Sequence, residues 1–325
     1  MRANEVRETP SGGGTVLVSG AAGGIGTALV EALVRKGRPV VALGRDADRL
    51  AELSEEHSLV RLLRADLRHP ESLAEVLADL PELAELDAFV HCAGVSPVAS
   101  VADSPVELWR EVLAVNLVSA AELTRLLLPA LRASGGHVVL VNASPGLHAV
   151  PQWSAFAASK AGLSELAGSL RQEEGPHGVR VTSVHPGGTA TELLREVRGA
   201  FGRDYDPAAC IRPATLARAV VEALDLPRDA QVTELHLRRD PDGSEPGPCP
   251  PVRRGAGRAR KQGTGSGRFR DHRMRLIPGI ARTAPATAQH RGTDRAASPK
   301  NLTSAPASQP LSATPTQTST TACRT

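Results

Sequence analysis

Eight residues near the start of the chain, Ser19-Gly20-Ala21-Ala22-Gly23-Gly24-Ile25-Gly26, have the composition of a phosphate cradle. Glycines permit a tight turn and let a pyrophosphate approach the backbone closely. The apolar run from Thr15 to Ser19 reads as a buried strand. Residues 26–36 read as a helix, with Ala28, Leu29, Leu33 and Val34 at helical spacing. A helix starting there offers N–H groups and the positive end of its dipole to phosphate charge. An ordinary turn has the same composition; the place between strand and helix is what favours phosphate. Gly20, Gly24, Ile25 and Gly26 are therefore the candidate dinucleotide contacts.

The second apolar run ends in Leu43-Gly44-Arg45-Asp46. Binders of NAD usually place an acidic residue there to bond the ribose 2′-OH. Here Gly44 occupies that place and Arg45 follows it. A guanidinium pairs well with a 2′-phosphate, which favours NADP(H) over NAD(H). The alternative is a solvated Arg45 beside an Asp46 that caps the next helix.

The elements that must position these residues alternate. Strands are expected at 39–43, 59–64, 88–92, 136–141, 179–184 and 232–237 after the first. Helices are expected at 46–56, 71–79, 105–132, 154–174 and 212–225. Strand–helix alternation predicts βαβ units and an α/β, doubly wound parallel sheet of the Rossmann type. The Val/Leu-rich strand runs lack polar alternation, as expected when helices cover both faces.

Composition divides the chain. Residues 1–240 carry 24 Lys/Arg against 31 Asp/Glu, whereas residues 241–325 carry 14 against 4. The expected organisation is a flexible lead-in at 1–13, one domain at 14–240 and a disordered basic tail at 241–325. The tail is rich in Pro, Gly, Ser and Thr and has almost no periodic apolar residues. Its stretch from Arg253 to Arg275 could touch nucleic acid, but a solvated tail is the better reading, so no nucleic-acid partner is expected. Cys92, Cys210, Cys249 and Cys323 form no Cys-x-x-Cys pair, so neither a disulfide framework nor a zinc site is expected from them. The N-terminus has no apolar signal segment, and no run approaches the ~18 apolar residues of a membrane span. A cytoplasmic protein without membrane contact is the expectation.

With these elements in order, the chain resembles the short-chain dehydrogenase/reductase family over about residues 14–240. Besides the glycine loop, Ala65-Asp66-Leu67 looks like the family's acidic segment near the adenine. Cys92-Ala93-Gly94 falls where the family has Asn-Ala-Gly, and Val115-Asn116-Leu117 resembles its helix with a functional Asn. Phe156-Ala157-Ala158-Ser159-Lys160 falls on Tyr-x-x-x-Lys, and Pro186-Gly187 with Thr191 on Pro-Gly-x-x-x-Thr near the nicotinamide. The resemblance implies cofactor contacts from Asp66, Leu67, Ala93, Gly94, Lys160, Pro186, Gly187 and Thr191. It implies a carbonyl–alcohol oxidoreductase in which Asn116, a Ser, a Tyr and Lys160 handle the proton. The family's Ser position holds Ala143, with Ser144 beside it as a candidate or as a turn residue. The Tyr position holds Phe156, which has no hydroxyl to give or take a proton.

Tyr205, the chain's one tyrosine, lies in an expected substrate loop and is a candidate replacement. His185 is expected to be structural at the cofactor mouth. His148 and Trp153 are expected to shape the pocket, and Cys92 to be a small buried residue. Substrate choice is expected from residues 145–155 and 188–212, whose apolar Leu147, Val150, Trp153 and Phe201 favour a small apolar carbonyl compound. Two functions follow: an NADP(H)-dependent oxidoreductase, or an NADP(H)-binding relative that turns over little because of Phe156. The resemblance also implies a homodimer or homotetramer.

Overall fold

The structure, a computed structural model, describes residues 13–144 and 150–240. The tail at 241–325, nearly all of the lead-in, and Leu147 and His148 lie outside the described residues. Among the described residues, seven strands form a single sheet: β1 (Thr15–Ser19), β2 (Val40–Gly44), β3 (Val60–Arg64), β4 (Leu86–His91), β5 (His137–Val141), β6 (Arg180–Pro186) and β7 (Glu234–Leu237). Their order is β3-β2-β1-β4-β5-β6-β7, and every neighbouring pair is parallel. Parallel neighbours need crossovers, here the helices α1 (Gly24–Arg35), α2 (Ala47–Glu56), α3 (Leu73–Leu77), α4 (Val106–Leu113), α5 (Ser119–Ser134), α6 (Ser154–Glu174), α7 (Glu192–Ala200) and α8 (Pro213–Leu224).

Alternation along each strand splits the apolar residues between two cores. In β1, Leu17 joins Leu43, Phe89 and Leu140 beneath α5 and α6, which contribute Leu123, Leu127, Leu131 and Leu163. Val16 and Val18 point the other way, to Leu29 and Leu33 of α1 and Leu216 and Val220 of α8. This double burial is why the central strands read as unbroken apolar runs. After β3 the chain returns to the other side of β1, so the strand order reverses between β1 and β4. A crevice outside the carboxyl ends of those two strands is where such sheets bind ligands.

Two elements differ from expectation. The helix expected at 105–132 is interrupted by a π-helical turn over Ala114–Val118, where Ser119 N–H bonds back to the Ala114 carbonyl. The expected loop 188–212 contains α7, capped by Thr191, whose hydroxyl accepts from Leu194 N–H. That helix is short and buries only Val197, although Leu194, Val197 and Phe201 keep helical spacing in its sequence. The helical stretch over Val106–Ser134, π turn included, is long and apolar enough to cross a membrane, with a mean hydropathy of 1.5 in an 18-residue window. Its Leu123, Leu127 and Leu131 are buried against the sheet, and core packing accounts for its apolarity.

Candidate functional site

The glycine loop is shaped by contacts that admit no side chain. Gly20 has φ +69°, and a Cβ there would lie 2.7 Å from the Ala93 backbone. A Cβ on Gly26 would lie 2.1 Å from the Gly20 carbonyl oxygen, and one on Gly24 would lie 2.9 Å from the Thr191 methyl. Gly23 caps α1 without any side-chain hydrogen bond, so the first turn keeps its N–H groups for another acceptor. These groups border a cavity of about 360 Å³ lined by Gly20, Gly24, Ile25, Gly26, Leu67, Ala93, Gly94 and Thr191. A dinucleotide pyrophosphate fits this cradle: donors face it, and a methyl group would close it. Gly26→Ala is expected to abolish NADPH binding and to lower Tm. Titration of protein fluorescence with NADPH and a thermal melt check this, and unchanged affinity contradicts it.

Three arginines stand at the far end of the cavity. Arg45, Arg49 and Arg68 line it together with Gly44 and Asp66. Asp46 does cap α2, its carboxylate accepting from Arg49 N–H at 3.2 Å. Arg45 makes no hydrogen bond or ion pair among the described residues and is exposed to the cavity. Asp66 is held by Arg68, with Nη2 at 2.6 Å and Nε at 3.0 Å from Oδ2. That bond is the main reason the Asp66 carboxyl is pulled down to about 2.

The other end of the crevice carries the residues suited to proton chemistry. Lys160 is buried in α6, and its Nζ donates to the Val141 carbonyl at 3.0 Å. Burial lowers its pKa to about 8. A Cβ on Gly94 would lie 3.7 Å from that Nζ, so Lys160 reaches the cavity wall. Asn116 sits in the π turn. Its Oδ1 accepts from Val95 N–H at 2.8 Å, and its Nδ2 donates to Val95 O and to Ser159 Oγ, each at 2.9 Å. The side chain thus ties the segment after β4 to α6, and the π turn displaces backbone carbonyls from their normal helical partners. Ser144 is half-buried just beyond β5.

Phe156 is buried one turn before Lys160, its ring centroid 5.9 Å from the ammonium. Trp153 stacks on it at 4.6 Å and 15°, and Phe201 meets Trp153 edge-on at 5.6 Å. Trp153 Nε1 donates to Ser96 Oγ at 2.7 Å, which fixes the indole. Three of the chain's seven Phe, Trp and Tyr residues meet here.

The family model described as short chain dehydrogenase matches residues 14–200, more than half of the chain. The chain belongs to the short-chain dehydrogenase family. It is 29% identical over 229 residues to an uncharacterized oxidoreductase of Staphylococcus saprophyticus, covering 68% of this chain and 95% of that protein. It is 31% identical over 208 residues to the L-fucose dehydrogenase of Mus musculus, covering 63% of this chain and 75% of that protein. Among solved structures, it resembles the alcohol dehydrogenase of Thermococcus sibiricus complexed with 5-hydroxy-NADP. The TM-score there is 0.62 at 25% identity, with 69% of this chain and 96% of that one covered.

Within this dehydrogenase frame, several expected residues stand apart from the cavity. Pro186 and Gly187 end β6 and turn toward β7, Gly187 N–H donating to Leu237 O at 2.8 Å; of that motif, Thr191 alone lines the cavity. Tyr205 lies near Arg195 and borders neither the main cavity nor the adjoining one along Val95–Val98 and α7. Cys92 lines the cavity wall, and burial pushes its thiol up to about 12, so it is no nucleophile. Sequence reasoning passed over Arg49, Arg68 and Glu111, which also line the cavity. The spacing Asp66-x-Arg68 was a readable signal for an ion pair, whereas Glu111 depends on where α4 packs.

Proposed function

We propose that this dehydrogenase binds NADP(H) in preference to NAD(H) and interconverts a carbonyl and an alcohol on a small, apolar substrate. The observation that carries this reading is the glycine cradle with Arg45 at the end of β2, where a 2′-phosphate would lie. Arg49 adds positive charge from the next helix turn. The Thermococcus relative's complex with an NADP derivative supports the same choice.

NADP(H), when bound, supplies or takes up the hydride. This chain's residues do the rest. The first turn of α1 holds the pyrophosphate, Arg45 the 2′-phosphate and Lys160 the nicotinamide ribose. Asn116 positions α6 through Ser159, while Trp153 and Phe201 exclude water from the substrate side. Ser144 is the group placed to hold the substrate oxygen. A carboxylate would be repelled by Glu111 and Glu196 beside the adjoining cavity, which favours a neutral substrate. A cytoplasmic location belongs to the same reading.

A second reading has a specific observation behind it. Phe156 stands where the family's proton donor stands, and loss of such a group costs ~10²–10⁴ in rate. On that reading the protein holds NADP(H) and turns over little.

NADPH oxidation, followed by its near-ultraviolet absorbance with a panel of aldehydes, ketones and quinones, tests the first reading. Turnover with any of them supports it, and none across the panel leaves the binding role. Arg45→Ala is expected to weaken NADPH roughly tenfold to a hundredfold, the value of one charge-assisted hydrogen bond, and to leave NADH within about twofold. Calorimetric titration with each nucleotide checks this. Equal losses for both would remove Arg45 from the 2′-phosphate.

A further inference from the structure

β6 and β7 run in register, with Ser183 opposite Glu234 and His185 opposite His236. Residues two apart on a strand share a face, so Glu234 and His236 project to the side on which His185 lies. Leu235 and Leu237 between and beyond them pack on the opposite core. One donor atom from each of His185, Glu234 and His236 lies within 4.8 Å of the others.

The hydrogen bonds already orient two of the three. His185 Nδ1 lies 2.9 Å from the Ala143 carbonyl oxygen. A carbonyl only accepts, so Nδ1 carries the hydrogen and Nε2 carries a lone pair. Metal-binding histidines are usually held this way, by a bond from the second ring nitrogen to a carbonyl or carboxylate. His236 Nε2 donates to Glu234 Oε2 at 3.1 Å, and this bond holds the Glu234 carboxyl below its ordinary range.

We propose that His185, Glu234 and His236 form a site for a divalent transition-metal ion of the zinc class, with water completing its coordination. Two imidazole nitrogens and one carboxylate oxygen are a donor set for borderline ions such as zinc. Magnesium and calcium take oxygen ligands instead. The ion enters where the His236 hydrogen now sits. That hydrogen moves from Nε2 to Nδ1 of the same neutral ring, so no net proton is released.

The two rings are stacked at 4.6 Å and 12°. Donors on a tetrahedral ion lie ~3.3 Å apart, given metal–nitrogen bonds of ~2.0–2.1 Å. Convergence therefore falls to His236 and Glu234, whose side chains are 42% and 55% exposed on an edge strand. His185 stays anchored. The bound ion would be linked through the His185 ring and its hydrogen bond to Ala143, the neighbour of Ser144, and His185 itself precedes Pro186 and Gly187. It would stiffen the loops that follow both β5 and β6.

Calorimetric titration of the full chain with Zn²⁺, without nucleotide, tests the proposal beside His236→Gln and Glu234→Gln. Wild type is expected to take up a zinc equivalent that each variant binds at least tenfold more weakly. Saturating zinc is expected to raise wild-type Tm by ~5 °C, and Mg²⁺ to leave it unchanged. Failure of wild type to bind zinc overturns the site. Equal binding in both variants also overturns it, by placing the ion on other side chains. A matching rise with Mg²⁺ overturns the choice of ion class. The absence of nucleotide keeps this result independent of the dehydrogenase reading.

Discussion

Phe156→Tyr is expected to raise carbonyl-reductase turnover at least tenfold, toward the ~10²–10⁴ that a positioned acid/base contributes. The Phe156 ring is held by the stack on Trp153, and Lys160 lies 5.9 Å from its centroid. A cation at that range stabilises phenolate, so the new tyrosine would titrate below the ordinary ~10. The gain should appear in kcat, with KM for NADPH within about twofold, because the nucleotide cradle is untouched. Lys160→Met in the tyrosine background should remove most of the gain. Steady-state kinetics of wild type and the two variants check this. A tyrosine variant no faster than wild type would mean that the Ser or Asn site has decayed too, or that another group already supplies the proton.

Acid is expected to destabilise the fold well above the range in which carboxylates titrate. His91 is fully buried, its Nδ1 2.8 Å from Ser19 Oγ. Burial, and then the Lys160 charge, lower its pKa from 6.5 to about 3. His137 is buried in β5. Thr182 Oγ1 donates to Val232 O, so His137 Nε2 donates to Thr182 Oγ1 at 2.7 Å, and Nδ1 is left as a lone pair with no partner among the described residues. Burial, then Arg180, Arg228 and Arg38, lower His137 to about 3 as well. Folded values below the unfolded 6.5 mean that the unfolded chain binds more protons between about pH 6.5 and about pH 3. The stability they allow is present above about pH 6.5 and is lost as pH falls.

From about pH 7 to about pH 5 the loss is ~2 kcal/mol per histidine, or roughly 8–16 °C of Tm for the pair. Asp66, lowered from 3.8 to about 2, loses its contribution only at more acid pH. His137→Gln keeps a donor for Thr182 and cannot titrate, so it should remove about half of the slope. Thermal melts across this window check the expectation. A flat wild-type profile, or an unchanged slope in the variant, contradicts it.

How legible each feature was depended on whether neighbours in sequence or neighbours in space create it. The cradle is local: a strand, Gly20 to Gly26 and a helix follow one another, and each step has its own physical signature. Lys160 follows Phe156 by one helical turn, so both the intact lysine and the missing hydroxyl were readable. The parallel sheet was readable because strands buried on both faces must be apolar throughout. By contrast, α7 is short and mostly exposed, and it falls in a segment expected to be loop. The edge-on contact of Phe201 with Trp153 depends on where α7 ends. The bond between Ser19 and His91 arises because β1 and β4 are neighbours, a fact of strand order. His185 meets His236 for the same reason, through the pairing of β6 with the edge strand. Asp66 was expected at an adenine, and Arg68 two residues on now holds it.

The most direct test is a titration of the wild-type chain with NADPH and with NADH, read as energy transfer from tryptophan to bound nicotinamide. Trp153 lies beside the reaction end of the crevice, so bound nucleotide should quench its emission. Saturable quenching, at least tenfold tighter for NADPH and absent in Gly26→Ala, is the predicted result. No saturable binding of either nucleotide would contradict the account at its base, whatever Phe156 proves able to do.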